Sequence, residues 1–583
     1  MRRGLLLALA VALAWCALIF AIHQASPRTR LSAHGLLHVA IAESCARSPA
    51  GTLLSPQPPD NPLFAGEPLP YYYFFHRAAR ALAQLLTIDV VHAFEALLLL
   101  SAAAAVVVGW LVGRRLFGSD AAGLTTSFLL FAGAHPQGPL VLLVRRFEGG
   151  PRIFADDGSY LWGLVHPLNG ALRIGDYYGT LGPLVSSFLN LTARPLALAS
   201  LLVVVLLLDV AARRPSPLRL AGLALAMMVV ALWNPIVAFA VAGAVAAALL
   251  GVAVTQRRIA DGGDDLSPGR AAALAVALVA GVALAWPWFH HLVRWLAPSD
   301  RFTRDDAHVR IAFNLHRAVA MATGAWLVAL FAWFGRRRLS GTRRALALVL
   351  IVAAAVLALA TALLTLPVGN EDSLFHGALV LLAVPAAGIV VPMRRDGAKR
   401  DEVARATRRR TLLVHAAFAP MVACVLAAYV GRPALPIAIT SHGLERLPEG
   451  GDEARLDTWI VMSTPGDAIF VQDPGSDGRT CAGNSSELPA LTGRSLFTDY
   501  ARHYLVAPYR DAPRRAAITA KLVSGTPLDA DEAALLLALD REIFVVTYDE
   551  RDERSAATAR RDAALGAPLF EAGPIRVRRC GAR

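Results

Sequence analysis

Three observations predict a polytopic α-helical membrane protein that ends in a small soluble α/β domain. Of the 583 residues, 56% are hydrophobic and only 17% are charged, and the mean hydropathy is +0.49. Apolar runs such as 96–110, 196–208 and 345–366 exceed what a soluble core needs, and about twenty apolar residues span a bilayer as a helix. The basic residues cluster in short loops between these runs, so the formal charge of +13 does not imply a nucleic-acid partner. After residue 430 the composition turns polar.

Taken in order, the first segment reads MRRGLLLALAVALAWCALIFAIHQAS, a basic start and an apolar run, as in a signal peptide. The run is long for that role, and Trp15 before Cys16 spoils a lipoprotein-type cleavage site, so a retained helix is predicted over 4–22. Further spans are predicted at 91–112, 121–144, 195–212, 217–233, 236–255, 271–289, 318–335, 345–366, 374–392 and 411–430, about eleven in all. Short arginine-rich loops stay in the cytoplasm. Arg2, Arg3, Arg114, Arg115, Arg213, Arg214, Arg257, Arg258 and the groups at 336–344 and 394–410 therefore mark one side. An even number of spans separates successive markers, so a single topology satisfies them all. It puts the N-terminus in the cytoplasm and 431–583 outside. Trp233-Asn234-Pro235 must then form an outer hairpin turn. Nearly all the cations are Arg, with Lys only at Lys399 and Lys521.

The membrane domain is thus 1–430, with a long first outer loop over 23–90, and 431–583 is of a size for one domain. Within the tail, 468–472 and 543–546 read as short buried strands, and 514–523 and 529–539 as helices, the latter opened by an acidic turn. Of five Cys, Cys16 and Cys424 fall in apolar segments and Cys45, Cys481 and Cys580 in polar ones. No metal-type spacing is present, and Cys481 and Cys580 are candidates for an outer disulfide that spacing alone does not settle.

The predicted outer face receives 23–90, 145–194, 290–317, the turn 367–373 and everything after about 431, and every His except His415 falls on or near it. Chemistry is expected there, although histidines are also simply common in loops. His34 and His38 are four apart, on one face of a predicted amphipathic helix that also carries Glu43. Two histidines and a carboxylate can hold a divalent metal; HxxxH lacks the internal Glu of HExxH, and interfacial histidines are the plainer reading. Asp60 and Glu67 flank the turn-rich Asn61-Pro62-Leu63-Phe64-Ala65-Gly66. Glu43 and Asp60 are the candidate general bases.

Tyr71, Tyr72 and Tyr73 precede Phe74, Phe75 and His76. They fit an aromatic belt at the lipid boundary. On a helix, three consecutive Tyr spread over most of the circumference, so at least one points inward, where tyrosine faces can hold a sugar. Arg145, Arg146 and Arg152, and Arg294, Arg301, Arg304 and Arg310 beside His290 and His291, lie outside against the charge rule. Guanidinium forks bind lipid phosphate, and Asp156, Asp157, Asp305 and Asp306 offer ion pairs instead. The acidic residues of 369–373 either line a cavity or sit in an exposed turn.

The stretch PPDNPLFAGEPLPYYYFFH resembles the loop of multispanning membrane proteins named for a Tyr-Tyr-Tyr motif, which look like GT-C-type glycosyltransferases. TPGDAIFVQD and LPALTGRSLFTDYARHYLVAPYRDAPRR are similar to the terminal domain of such proteins. The resemblance implies a GT-C-like fold whose first outer loop supplies an acidic catalytic residue. It implies a sugar donor on a polyprenyl phosphate, an envelope glycan, lipid or protein as acceptor, and membrane lipids as surroundings. In the family pattern an acid often precedes the Gly that is Gly35 here; this chain has His34, which moves the base to Glu43 or Asp60. Tyr71–Tyr73 and His76 would hold the sugar or the loop, and the outer arginines would stabilise the departing phosphate. Two other readings stay open. A lipid or polysaccharide transporter or flippase places ionisable residues near the midplane and often shows repeats, whereas these spans are nearly free of charge. A non-catalytic membrane scaffold would need no acid in the loop.

Overall fold

The described part of each predicted apolar segment is mainly helical in the computed structural model, which describes residues 2–25, 33–48, 52–133, 184–189, 191–259, 266–296, 310–366, 371–392, 400–429, 437–440, 443–447, 451–472, 486–499, 505–548 and 556–581. The chain forms two units. The first comprises Met1–Thr29, Leu97–Trp286 and Val309–Arg432; the second comprises Arg30–Ala96, Pro287–His308 and Pro433–Arg583.

The helices in chain order begin with α1 (Arg2–Ala25), α2 (Ala33–Arg47), α3 (Phe74–Leu86), α4 (Val90–Phe117) and α5 (Asp120–Ala132). There follow α6 (Arg194–Arg213), α7 (Pro217–Trp233), α8 (Pro235–Ile259), α9 (Pro268–Leu284) and α10 (Trp286–Leu296). The last of the bundle are α11 (Leu315–Gly335), α12 (Gly341–Leu363), α13 (Glu371–Ala386) and α14 (Arg400–Tyr429). Among the described residues, 6 helices are long and apolar enough to cross a membrane, or 7 if the bent pair Pro268–Leu284 and Trp286–Leu292 is one span. The segments predicted at 121–144 and 217–233 give shorter apolar helices, and only the first part of 121–144 is described. The span predicted at 271–289 breaks near Ala285, so His290 and Arg294 continue a helix rather than open a loop.

Local chemistry fixes these ends. Ser119, Ser216 and Ser267 cap α5, α7 and α9 by accepting from the backbone N–H three residues on, and Pro217 and Pro268 begin the last two. The Asn234 N–H donates to Val230 O at 2.9 Å while its side chain accepts from Val237 N at 3.1 Å. One buried residue thus ends α7 and starts α8, as the hairpin turn requires. Small residues then let backbones touch: a Cβ on Gly281 would stand 2.3 Å from Ala224 O.

Charges of the first unit collect near helix ends. Asp209 near the end of α6 pairs with Arg115 of α4 at 2.7 Å and Arg213 at 2.5 Å, and Arg114 pairs with Asp120 at 2.8 Å. Arg343 of α12 lies within electrostatic range of the same Asp209. Helix ends assigned by sequence to one side therefore meet. Near the starts of α6 and α13, Arg194 grips Asp372 through both Nη atoms, at 2.8 and 3.0 Å, and approaches His376 at 3.3 Å. The acid pair of 369–373 thus contributes a buried, paired Asp372.

Two short antiparallel pairs come first in the chain, β1 (Arg310–Ile311) with β2 (Leu364–Thr365) and β3 (Ile437–Thr440) with β4 (Gly443–Arg446), and the second unit is built on a five-stranded sheet of spatial order Ser495–Leu496, Ile469–Gln472, Ile543–Tyr548, Ile575–Arg579, Phe570–Ala572. Its strands are β5 (Ile469–Gln472), β6 (Ser495–Leu496), β7 (Ile543–Tyr548), β8 (Phe570–Ala572) and β9 (Ile575–Arg579). β5 pairs in parallel with β6 and β7, while β9 runs antiparallel to β7 and β8. The two strands expected from sequence are β5 and β7, nearly continuous apolar runs because parallel strands are covered on both faces. The two helices expected there are found as Ala512–Ser524 and Ala530–Leu537, and the acidic start of the latter is a full capping box between Asp529 and Glu532.

The segment expected as a free outer loop is part of this unit's core. Leu37, Ile41, Leu63, Phe64 and Tyr73 share one apolar cluster with Phe470, Phe544 and Val546. Beyond β6 the loop adds a further extended strip: Leu496 N–H donates to Pro62 O at 2.8 Å, Ala65 N–H to Leu496 O at 2.9 Å and Asp499 N–H to Leu63 O at 3.0 Å. Arg145, Arg146, Arg152, Arg301, Arg304, Cys481 and the side chains of His34 and Arg294 lie outside the described residues, so the expected disulfide falls there too.

Candidate functional site

The first loop brings most of its predicted site residues together. α2 is buried on nearly every side, and Glu43 and Arg47, one helical turn apart, are half-exposed. Its His38 turns inward and lies 2.7 Å, Nδ1 to Nε2, from His76 on α3, with the rings stacked at 5.0 Å. One nitrogen donates and the other accepts, so the hydrogen bond needs no charge. Phe75 stands edge-on to His38 and Phe94 edge-on to His76. Burial pushes the His76 pKa down to about 3, and its Nδ1 has no partner.

The three tyrosines precede α3 rather than lying on a helix, with Tyr73 as its N-cap. This corrects the helical spread expected from sequence, and burial separates their roles instead. Tyr73 is 1% exposed, lies under the Arg77 guanidinium at 4.6 Å, and has a buried hydroxyl without a partner. Burial raises its pKa. Tyr71 and Tyr72 stack at 4.1 Å and share a hydroxyl–hydroxyl bond of 2.8 Å. His291 donates from Nε2 to Tyr71 O at 3.0 Å and sets its ring 5.4 Å from Tyr73. Arg77, 2% exposed, donates to the carbonyls of Thr52, Ser55 and Gln57 and so draws in the preceding loop.

The two candidate carboxylates have unlike surroundings. Glu43 meets Arg80 of α3 at 3.1 Å, with side-chain exposures of 26% and 32%. Asp60 meets Arg541, just before β7, at 2.8 Å; its carbonyl accepts from Ser44 beside Glu43, and its backbone pairs with Pro68. Arg47 lies between them. Burial lowers its pKa to about 10, against the opposing charges of Glu43 and Asp60, and its Nη2 donates to Ser495 Oγ at 3.2 Å. Sequence reasoning missed Arg47, Arg77, Arg80 and Arg541. The first three had one signal, their helical spacing from Glu43 and from the tyrosines. Arg541 had none, being 481 residues from Asp60.

The metal reading of this helix rests on His34 and His38, and the side chain of His34 lies outside the described residues. His38 spends Nδ1 on His76, Glu43 faces Arg80, and no three His, Cys, Asp or Glu side chains converge among the described residues. What the described residues offer to hydroxyl chemistry is a partly exposed carboxylate beside cations, on the helix whose His38 packs near the stacked tyrosine pair.

Comparison with known proteins adds the fold's kinship. A family described as uncharacterized membrane protein (DUF2298) matches residues 5–154, the part that holds Glu43, Asp60 and the tyrosines. No curated protein matches the chain. Among solved structures it is similar to ArnT from Cupriavidus metallidurans in the apo state, at 13% identity and a TM-score of 0.52, over 99% of this chain and 98% of that one. Similarity to the same protein bound to undecaprenyl phosphate is 14% with a TM-score of 0.52, over 98% and 97%. It is also similar to the arabinofuranosyltransferase AftD from Mycobacteria, at 17% identity and a TM-score of 0.47. This chain spans 40% of AftD. The chain shares its overall fold with ArnT and is a polytopic membrane protein with a C-terminal sheet region.

Proposed function

We propose that the chain is a glycosyltransferase of the bacterial inner membrane, moving a sugar from a polyprenyl-phosphate donor to an envelope acceptor at the extracytoplasmic face. The observation that carries this reading is the folding of 33–86. A partly exposed carboxylate stands on the helix whose His38 joins a tyrosine–histidine cluster backed by Arg77. Catalytic groups need such rigid backing. That ArnT has been solved with undecaprenyl phosphate supports a lipid phosphate as the donor's leaving group.

In this reading Glu43 accepts the proton of the acceptor hydroxyl as that oxygen bonds to the sugar's anomeric carbon. The bond from that carbon to the phosphate oxygen breaks, and the electron pair leaves with the polyprenyl phosphate. Arg47 and Arg80, with the outer arginines Arg145, Arg146, Arg152, Arg294, Arg301 and Arg304, offset the growing phosphate charge. Tyr71 and Tyr72 offer ring faces to the sugar. Asp60, tied to Arg541 and Ser44, serves to position the loop. The described charges of the bundle lie near helix ends, as in Arg194 with Asp372 and Asp209 with Arg213, which favours interfacial chemistry over a transporter's midplane site.

Purified protein offered radiolabelled polyprenyl-phosphate sugars tests the proposal. Glu43→Gln should lower turnover by about 10²–10⁴-fold, the usual size of a lost general base. Asp60→Asn should act mainly on KM and on stability. No transfer with any donor, or full turnover in Glu43→Gln, would sink the mechanism.

A further inference from the structure

The arginine-rich end of the first unit holds more cation than its carboxylates neutralise. Gly335 and Gly388 meet there: a Cβ on Gly335 would stand 2.1 Å from Pro385 O, and one on Gly388 2.7 Å from Gly335 O. Bare backbone therefore seats the short 3-10 turn Arg336–Arg338 against the 3-10 turn Ala387–Val390. Arg410 of α14 reaches the same place, its Nη1 donating to Val391 O at 3.3 Å, within electrostatic range of Arg338. Arg344 is likewise in range of Arg336.

Nε of Arg336 and both Nε and Nη1 of Arg338 are shut off from water and find no acceptor. Among the described residues no carboxylate lies within ion-pair distance of Arg336, Arg338, Arg344 or Arg410, and Asp209 is already taken by Arg115 and Arg213. Arg336 stacks 3.5 Å over the exposed Trp333 ring, a side chain typical of headgroup depth. On another part of the α14 surface, Arg405, Arg408 and Arg409 share a groove with Leu412, Leu413 and Ala416, and both leucines are exposed.

We propose that this cluster binds the phosphate of an anionic phospholipid headgroup. Guanidinium forks hold a phosphate through paired N–H donors, which supplies the acceptor these buried groups lack. A free phosphate would satisfy the arginines but offers nothing apolar to the exposed Trp333 ring beneath Arg336. The site is separate from the one in the first loop and stands or falls independently of the transferase reading.

Full-length protein in nanodiscs tests it, with phosphatidylcholine alone or with added phosphatidylglycerol, and native mass spectrometry counting retained lipid. Phosphatidylglycerol should be retained selectively. Each arginine removed should weaken retention about fivefold, the worth of one basic residue near an anionic surface, so Arg338→Gln with Arg410→Gln should lose roughly 25-fold. The pair Arg338→Lys with Arg410→Lys keeps the charge but not the fork and should lose less than the Gln pair, which separates recognition from misfolding. Equal retention of both lipids, unchanged retention in the Gln pair, or equal losses in the Lys and Gln pairs would overturn the proposal. So would full displacement of the lipid by inorganic phosphate, which would mark a free-anion site.

Discussion

His76 is fully buried, is hydrogen-bonded to His38, and precedes the buried Arg77, so a proton added there would set a second cation in a low-dielectric interior. Burial holds its pKa near 3, below the ordinary 6.5. Above pH 6.5 the ring is neutral both folded and unfolded, and its contribution to stability is fully present. As pH falls from 6.5 toward 3, the unfolded chain takes up a proton that the folded chain refuses, and stability drains away by at most about 1.4 kcal/mol per pH unit. Below both values the dependence ends. Thermal unfolding of the detergent-solubilised protein, followed by tryptophan fluorescence, should show a midpoint that drops over this window. In His76→Phe, which keeps the ring packing against Phe75 and Phe94, the drop should be shallower. Equal slopes in the two proteins would show that other groups govern acid stability.

Between elements, the strip 61–69 is held to the sheet by contacts that leave no trace in local pattern. Arg515, 4% exposed, donates from Nη1 to Ala65 O at 2.7 Å and Phe497 O at 3.0 Å, with its guanidinium 3.9 Å over the Phe64 ring. Asn61 donates to Leu505 O at 2.6 Å. Replacing Arg515 by Leu strands two buried carbonyls and should cost about 2–4 kcal/mol. The loss should show as a lower unfolding midpoint together with protease cutting near 58–69; a stable variant that resists cutting would refute the anchor. Helix extents, by contrast, were legible: the span expected at 217–233 is Pro217–Trp233, because apolar runs, prolines and serine caps are written locally. β5 and β7 were legible for the same reason. The first loop was not, since its pairing with Leu496 is backbone to backbone and the Arg515–Ala65 bond joins residues 450 apart. Its polar residues read as solvated, whereas Asn61, Arg77 and His76 are buried and bonded. The candidate site was therefore visible as residue types in one stretch, while the cations that surround its carboxylates were not.

For the whole molecule, the two ends of the bundle differ in charge compensation, and that difference predicts orientation. At one end Arg336, Arg338, Arg344 and Arg410 lack a carboxylate among the described residues, and Asp209 serves both Arg115 and Arg213. At the other, Arg194 is matched by Asp372. Translocating an uncompensated arginine loop is unfavourable, whereas a paired arginine presents little net charge, so the first end should stay in the cytoplasm. α1 then begins inside, and α14, starting at the arginine-rich end, delivers Pro433–Arg583 outside together with the first loop. Alkaline phosphatase fused after Arg583 should be active in whole cells, and a fluorescent protein that matures only in the cytoplasm should stay dark there. A cysteine replacing Ser340, in the short link between the Arg336–Arg338 turn and α12, should resist a membrane-impermeant maleimide until the cells are opened. A bright C-terminal fusion with a labelled Ser340→Cys would invert the topology. Glu43 would then face the cytoplasm, away from any acceptor in the envelope, so this measurement bears on the transferase reading before any sugar is tried.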